Sequence, residues 1–399
     1  QGILVARWLG PELYGVAALV MSVPALVYTF FDAKSAETSV KYLSEFYARG
    51  ERERALAMCK LGYIVDLAVA TLAFLGVLVM AGWAAANLVH RPDLRGLILV
   101  YAASFLPRAF TGTSYAVLAT LGRFTLIAQI ETLTATLRVA LVLGLILAGW
   151  QVAGVIWGNA VAMAITGFAY ATVAYGLVRQ VWNASWIHGD WRVLKGYRRA
   201  IVSFLAFNDL NALLGMIPKQ LDIVLLGYFR NPTEVGYYKL AKSLSGAIGY
   251  LVGPLQSVTY PKLAQLWGIG DREGLRRTVR RLALGGALLG FAVLFGIASV
   301  PFVVPPLVGD TYRPAIIAMQ ILLGGSAVWL AFFWLRSLYL ACGAIREWTG
   351  ISVAVICLSI IGFLLVTPLW GYKGLAVWLT LMNVFGHMVA AIRLRWRRH

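Results

Sequence analysis

The chain has 399 residues, of which 60% are hydrophobic and 13% are charged, and its formal net charge is +18. Soluble domains carry roughly a quarter charged residues, so this composition excludes a soluble globular protein and indicates an integral membrane protein. A strongly basic chain can also bind nucleic acid, but here the basic residues lie in short loops between apolar runs, and that distribution argues against a nucleic-acid partner.

Apolar runs of about 20 residues, the length of a helix that crosses a bilayer, recur along the whole chain. We therefore predict an all-α membrane protein with eleven full transmembrane helices. The opening stretch QGILVARWL resembles the end of a further helix, so we expect a twelfth span of which the first part is missing. The eleven spans are residues 14–33, 61–86, 95–120, 125–148, 152–177, 201–228, 235–259, 282–307, 315–342, 348–369 and 374–394.

The loops between these spans differ strongly in their content of basic residues. If the spans alternate in direction, 22 of the 35 lysines and arginines lie on one side of the membrane, and six lie on the other. Basic residues in short loops mark the cytoplasmic side. We therefore expect a multi-pass inner (plasma) membrane protein with both termini in the cytoplasm, where its basic tail contacts anionic membrane lipids.

The chain contains an internal repeat, because three short motifs of its first half recur in its second half at similar spacing. Six spans per copy is an even number, so the two copies share one orientation and are related by a pseudo-two-fold axis along the membrane normal. The predicted domains are an N-terminal helix bundle at 1–178, a cytoplasmic amphipathic linker at 179–199 and a C-terminal helix bundle at 200–399. The motif pairs are LGPELYG (9–15) with LGYFRNPTEVG (226–236), RGERERAL (49–56) with IGDREGL (269–275), and AGWQVAGV (148–155) with PLWGYKGL (368–375).

Seven basic residues lie inside predicted spans, where each charge at mid-bilayer costs about 2.5 to 3.5 kcal/mol. They must therefore face protein or water rather than lipid. These residues are Lys34, Arg108, Arg138, Lys219, Lys239, Lys242 and Arg336.

Most of these cations share a helical face with other polar residues at spacings of three and four. This pattern favours an aqueous cavity with a cationic lining. The alternative is that Asp222 only pairs with Lys219 and Glu131 only pairs with Arg138, as structural salt bridges. The polar companions of the cations are Tyr101, Glu131, Asn208, Asn211, Asp222 and Gln256.

Motifs of catalysis are absent from the sequence. It contains no Walker loop, no HExxH and no GxSxG motif, and its three cysteines are scattered without CxxC spacing. We therefore predict no catalytic residue, no metal and no cofactor, and we do not expect an enzyme.

Four stretches together carry a family resemblance: ARWLGPELYG (6–15), DIVLLGYFRNPTEVGYYKLAKSL (222–244), TYPKLAQLWGIGDREGL (259–275) and PLWGYKGLAVW (368–378). In order and spacing, over essentially all 399 residues, the chain resembles the polysaccharide biosynthesis flippases of the multidrug/oligosaccharidyl-lipid/polysaccharide exporter superfamily. Asp222 and Gly227 match the DxxxLG element of that family, and Glu234, Gly236 and Tyr238 match its ExGxY element.

The resemblance implies two six-helix bundles that form a V around a central cavity, and a cargo of glycan linked to polyprenyl diphosphate. We hypothesise that the cavity cations bind the diphosphate or acidic sugars, and that the neighbouring amide and hydroxyl groups bind sugar hydroxyls. Asp222 or Glu131 would couple transport to an ion gradient.

We expect Glu234, at the outer turn between two helices, to cap the second helix rather than to bind cargo. A glycan polymerase or the export machinery is a further expected partner.

Three alternatives remain open from the sequence. A multidrug exporter of the same superfamily would carry cations or amphiphiles, which a cationic cavity would repel. A membrane glycan polymerase or ligase would need a long external loop with catalytic side chains, whereas the predicted outer loops are short. A scaffold of an export assembly would tolerate the loss of the cavity charges.

Overall fold

A computed structural model of the protein describes residues 1–31 and 35–396, with the side chains of residues 188, 206–219 and 395–396 left out. All regular elements in this part of the chain are helical, which confirms the predicted all-α fold. The predicted site residues Lys34, Asn208, Asn211 and Lys219 lie outside the described residues or side chains. The helices are α1 Gly2–Phe31, α2 Ser35–Ala48, α3 Arg52–Asn87, α4 Arg95–Ala103, α5 Phe105–Arg108, α6 Phe110–Thr120, α7 Phe124–Leu145, α8 Gln151–Trp182, α9 Arg198–Phe229, α10 Pro232–Gly246, α11 Gly249–Gly268, α12 Arg272–Ile297, α13 Val300–Val308, α14 Ala315–Ala331, α15 Phe333–Ala341 and α16 Ile345–Trp396.

Six helical stretches of the described chain are long and apolar enough to cross a membrane, which confirms a multi-pass membrane protein. Two of these stretches contain a backbone break near their middle, at Gln151 and at Gly371. The count of eleven spans stays a prediction. The six stretches are Gly2–Phe31, Arg52–Asn87, Phe124–Trp182, Arg272–Ile297, Ala315–Ala341 and Ile345–Leu394.

The helices form two compact units. The first unit is Leu19–Gln220 with Gln1, and the second unit combines Gly2–Ala18 with the chain from Leu221 onward. The predicted domain boundaries at 178 and 200 stay a prediction.

Each unit has its own hydrophobic core. In the first unit, Phe46 of α2, Leu118 of α6 and Tyr170 of α8 are fully buried against one another's helices. The chain between α8 and α9 joins this core, because Leu194 is only 1% exposed there. In the second unit, Leu263 of α11 and Leu335 of α15 occupy the corresponding core with neighbours from α12 and α16.

A tyrosine hydrogen-bonds the first half of α1 to the rest of the second unit. Tyr312, which is fully buried, donates its hydroxyl to the backbone oxygen of Ala6 at 3.1 Å. Burial raises the pKa of Tyr312, so the hydroxyl keeps its proton and remains a donor.

The second pair of sequence motifs builds the same helix end twice. Gly50 after α2 and Gly270 after α11 have φ values of 69° and 77°, a left-handed conformation that glycine adopts without strain. In both places the glycine N–H donates three residues back, and the next N–H donates five residues back, as in a Schellman motif. The repeated sequence is therefore a repeated helix stop.

The third motif pair also has a structural counterpart. Trp150 aligns with Trp370 in the sequence motifs, and the next residue breaks the helix in both copies. These residues are Gln151, with φ 46° and ψ −122°, and Gly371, with φ 57° and ψ −146°. The two breaks have nearly the same backbone conformation. The local structure thus repeats, whereas the symmetry axis between the copies stays a prediction.

The two copies of the first motif contact each other. Within the second unit, α1 and α10 cross so closely that a Cβ atom on Gly15 would lie 1.8 Å from the backbone oxygen of Pro232. Reciprocally, a Cβ on Gly236 would lie 1.9 Å from the backbone oxygen of Pro11. Each Pro-x-x-x-Gly segment therefore receives the backbone of the other, and small residues at such crossings are a regular means of packing helices in membranes.

We predict that Gly15→Ala and Gly236→Ala each destabilise the protein by about 1 to 3 kcal/mol, because the added methyl group overlaps a backbone oxygen. The two effects should add incompletely in the double variant, since either substitution already separates the same crossing. Thermal unfolding of the detergent-solubilised protein measures this. Gly246→Ala is the matched control, because it lies in the same helix with open space around its Cβ position. An unchanged melting temperature in both single variants would contradict the crossing.

Candidate functional site

A polar groove of about 200 Å³ lies among α5, α6, α7 and α8 in the first unit. It contains three of the residues that the sequence pattern selected, namely Arg108, Glu131 and Arg138. Three threonine side chains complete the polar lining: Thr111, Thr134 and Thr166. The helical spacing in the sequence therefore selected the faces of α5 and α7 that carry Arg108, Glu131 and Arg138, and these faces meet at the groove.

The groove lies beside Pro107, in the middle of the predicted span 95–120. Helices α4, α5 and α6 follow one another there with helical dihedral angles at the junction residues Ser104 and Ala109, and Pro107 cannot donate a backbone hydrogen bond. Helix α8 approaches this segment at Gly167, where a Cβ atom would lie 1.9 Å from the backbone oxygen of Pro107. This close approach brings Arg108 to the wall of α8.

The single carboxylate of the groove is already engaged. Glu131 Oε1 accepts a hydrogen bond from the Tyr170 hydroxyl of α8 at 2.8 Å. Among the described residues, Glu131 forms no salt bridge with Arg138, so the alternative of a purely structural pair is not realised.

The two groove arginines are exposed, and their guanidinium groups are available to a ligand. In the described part of the chain, neither Arg108 nor Arg138 has a carboxylate within salt-bridge distance. The hydroxyl of Thr111 is buried and likewise has no hydrogen-bond partner there. A guanidinium group presents a planar fork of N–H donors that fits phosphate or carboxylate. The groove is therefore suited to an anion with several acceptor oxygens.

A second polar cluster lies in the second unit, around Asp222 of α9. Asp222 is 1% exposed, and its Oδ2 accepts hydrogen bonds from the Tyr238 hydroxyl at 2.8 Å and from Lys242 Nζ at 2.5 Å. Both donors belong to α10, and the Lys242 side chain is 25% exposed. The DxxxLG and ExGxY elements of the sequence are thus joined through Asp222 and Tyr238. Lys242 therefore has an acidic partner on a neighbouring helix, which the spacing of residues within α10 did not predict.

The remaining predicted residues have varied surroundings. Lys239 is half-buried one turn before Lys242, and it has no salt bridge among the described residues. Arg336 is exposed on α15. Tyr101 is 8% exposed and packs edge-on against Phe105, with 5.6 Å between the ring centres.

Gln256 is engaged with the backbone. Its side-chain amide donates to the backbone oxygen of Phe333 at 3.2 Å, at the junction between α14 and α15. This bond supplies a donor where the helix is interrupted, so the geometry gives Gln256 a structural contact. Its predicted role as a ligand of sugar hydroxyls stays a prediction.

Glu234 does not cap α10, contrary to the expectation from sequence. Asn231 provides that cap, because its side chain accepts from the Glu234 N–H at 3.0 Å. The Glu234 carboxylate instead accepts from the Tyr372 N–H at 3.1 Å, directly after the break at Gly371. Its role is to satisfy a backbone donor that the kinked helix leaves free.

Sequence reasoning missed Asp66, a buried acid in α3 of the first unit. Asp66 Oδ2 accepts from the Thr113 hydroxyl at 2.7 Å and from the Thr113 N–H at 3.1 Å, while Oδ1 accepts from the Ser35 hydroxyl. The available signal was its position as a lone acid inside the apolar run 61–86.

The fold is shared with transporters. A structure described as the inward-facing conformation of a multidrug resistance MATE family transporter of the MOP superfamily matches with a TM-score of 0.76. The match has 13% identity and covers 99% of this chain and 93% of that one. The lipid II flippase MurJ in an inward closed conformation matches with a TM-score of 0.72 and 12% identity, over 99% of this chain and 85% of that one.

A third structure, a mutant of the Vibrio cholerae MATE transporter VcmN, matches with a TM-score of 0.59 and 15% identity, covering 100% of this chain and 97% of that one. At these identities the likeness establishes the fold alone.

A search of curated protein sequences finds no significant match. The sequence model of the family described as "Polysaccharide biosynthesis protein" matches residues 1–267, which is more than half of the chain. The chain therefore belongs to the polysaccharide biosynthesis protein family.

Proposed function

We propose that this membrane protein is a flippase that moves polyprenyl-diphosphate-linked oligosaccharide from the cytoplasmic to the outer leaflet by alternating access. The observation that carries the proposal is the groove with Arg108 and Arg138, two cations without an acidic partner among the described residues. Family membership supports a substrate from polysaccharide biosynthesis. The shared fold with a lipid II flippase supports movement of a lipid-linked cargo.

The physical argument rests on the cost of moving a diphosphate through hydrocarbon. An ionised group that loses its water without compensation is too costly to bury in an apolar medium. Guanidinium groups and threonine hydroxyls replace the lost hydration with charge-assisted hydrogen bonds. In this proposal Arg108 and Arg138 contact the diphosphate or an acidic sugar. Glu131, which is bonded to Tyr170, offsets only one of the two positive charges, so the groove keeps a net positive charge.

Asp222 is the proposed site of ion coupling. Protonation of its carboxylate would remove the charge that holds Lys242, and Lys242 would then be available to the anionic cargo. The buried position of Asp222 and its two donors support this assignment, because a change in its charge must be compensated within the protein. Glu131 is the alternative coupling residue. The other predicted ligands, the inner-membrane orientation and the association with a glycan polymerase or export machinery stay predictions.

A multidrug exporter is the second candidate, and the likeness to a multidrug resistance transporter favours it. The two candidates differ in the charge of their cargo. Cationic dye transport by the reconstituted protein that depends on Asp222 would support the exporter, whereas dye exclusion together with transport of lipid-linked glycan would support the flippase.

The groove arginines provide the direct test of the flippase. We predict that Arg108→Gln with Arg138→Gln lowers the flipping rate at least tenfold, since each charge-assisted hydrogen bond contributes about 1.5 to 3 kcal/mol. The measurement uses proteoliposomes with a fluorescent polyprenyl-diphosphate oligosaccharide and a membrane-impermeant quencher. Arg123→Gln is the control, because Arg123 is an exposed arginine of the same unit that does not line the groove. Equal rates in the double variant and the control would refute the role of the groove.

Asp222 can be tested separately from the groove. We predict that Asp222→Asn destabilises the protein by about 3 kcal/mol, because it leaves the Lys242 ammonium largely buried without its counter-charge. Adding Lys242→Met should restore much of the stability. If Asp222 couples transport to protons, this stable double variant should still lack acceleration by a pH gradient in proteoliposomes. Recovery of gradient-driven transport in the double variant would instead assign the pair a structural role only.

A further inference from the structure

A second groove lies in the second unit, on the side formed by α12, α15 and α16. Two cavities of about 380 Å³ and 450 Å³ adjoin there, because both are lined by Arg276, Val279 and Leu394. None of these residues belongs to the polar clusters described above. The groove is larger than the arginine groove of the first unit, and the proposed flippase mechanism does not use it.

The walls of this groove are apolar. Leu275 and Val279 of α12 are 8% and 6% exposed, and they face Leu338 and Trp334 of α15. Leu394 of α16 closes the other side. Such a surface is suited to hydrocarbon.

The rim of the groove is cationic. Arg272, Arg276 and Arg280 follow one another at intervals of four residues, so they form one row over the first turns of α12. The guanidinium of Arg272 lies 3.6 Å from the ring centre of Trp267, which fixes its position by a cation–π contact.

The charge of the groove is unbalanced. Among the described salt bridges of α12, Glu273 pairs with Arg277, and neither Arg276 nor Arg280 has an acidic partner. Glu347 also lines the larger cavity, so three arginines face one carboxylate. A net positive rim above an apolar groove complements an amphiphile with an anionic head.

The helix beyond the arginines explains why the ligand should be a lipid. Helix α12 continues as an apolar stretch of which only 11% is buried, with Leu288, Phe291 and Phe295 between 67% and 79% exposed. In a membrane this surface contacts acyl chains. The groove therefore opens onto hydrocarbon at one end and carries its charges at the other.

We propose that this groove is a binding site for an anionic glycerophospholipid of the surrounding membrane. The phosphate of the headgroup contacts Arg276 and Arg280, with Arg272 held beside them by Trp267. The acyl chains lie along Leu275 and Val279 and continue over the exposed face of α12. The proposal is independent of the cargo of the transporter.

Native mass spectrometry of the purified full chain tests the site, with phosphatidylglycerol and phosphatidylcholine as probes. The wild type should retain phosphatidylglycerol in preference to phosphatidylcholine. The triple variant Arg272→Gln, Arg276→Gln and Arg280→Gln should bind phosphatidylglycerol about 100-fold more weakly, at roughly fivefold for each basic residue. All three positions are exposed, so the variant should fold normally.

Further variants distinguish the effect of the arginine charges from the effect of the space in the groove. Arg276→Gln with Arg280→Gln and Arg277→Gln with Arg281→Gln form a charge-matched pair, because each removes two charges from α12. Arg277 and Arg281 are exposed but line neither cavity, so their double variant should bind like the wild type, whereas the first should bind more weakly. Cys342→Trp, which fills the groove and keeps all the arginines, should weaken binding by reducing the space for the chains.

Three results would overturn the proposal. The first is equal retention of the two lipids by the wild type. The second is equal binding of phosphatidylglycerol by the Arg276→Gln, Arg280→Gln variant and by the Arg277→Gln, Arg281→Gln control. The third is displacement of phosphatidylglycerol by glycerol phosphate at equal concentration, which would assign the site to a soluble anion rather than to a lipid.

Discussion

A charged side chain inside a bilayer must find a partner or a polar cavity, and the arrangement of this protein follows from that constraint. Three acids of the predicted spans accept hydrogen bonds from neighbouring helices. Asp66 accepts from Thr113 and Ser35, Glu131 accepts from Tyr170, and Asp222 accepts from Tyr238 and Lys242. Glu131 keeps its charge when it accepts from Tyr170, but two arginines and one carboxylate still leave the groove with a net positive charge. The exposed groove arginines are therefore the groups available to an anionic cargo.

Backbone geometry supports this arrangement by bringing helices unusually close. Gly167 allows α8 to touch the backbone at Pro107, and this contact positions the groove beside Arg108. Gly15 and Gly236 allow α1 and α10 to cross with backbone atoms in contact. In membranes, where lipid chains are as apolar as side chains, such close packing contributes much of the association between helices. The same positions therefore determine both stability and the placement of charged groups.

The sequence predicted the helices, the membrane class and the local repeats, because these depend on hydrophobic runs and on short motifs with special backbone geometry. Helical spacing also predicted that Glu131 and Arg138 share a face. It did not predict that Glu131 bonds Tyr170, which lies 39 residues away, or that Asp222 bonds Lys242, which lies 20 residues away. Contacts between helices depend on crossing geometry, and no local spacing encodes that geometry. Asp66 was visible in the sequence as a lone acid of an apolar run, but its bond to Thr113 on another helix was not.

The central claim is that Arg108 and Arg138 hold the anionic part of the cargo. A structure determined by electron cryo-microscopy with a bound polyprenyl-diphosphate oligosaccharide measures this directly. The account predicts phosphate density within hydrogen-bond distance of both guanidinium groups, with Glu131 still bonded to Tyr170. Density for the diphosphate elsewhere, with Glu131 turned to Arg138 and the groove free of ligand, would contradict it.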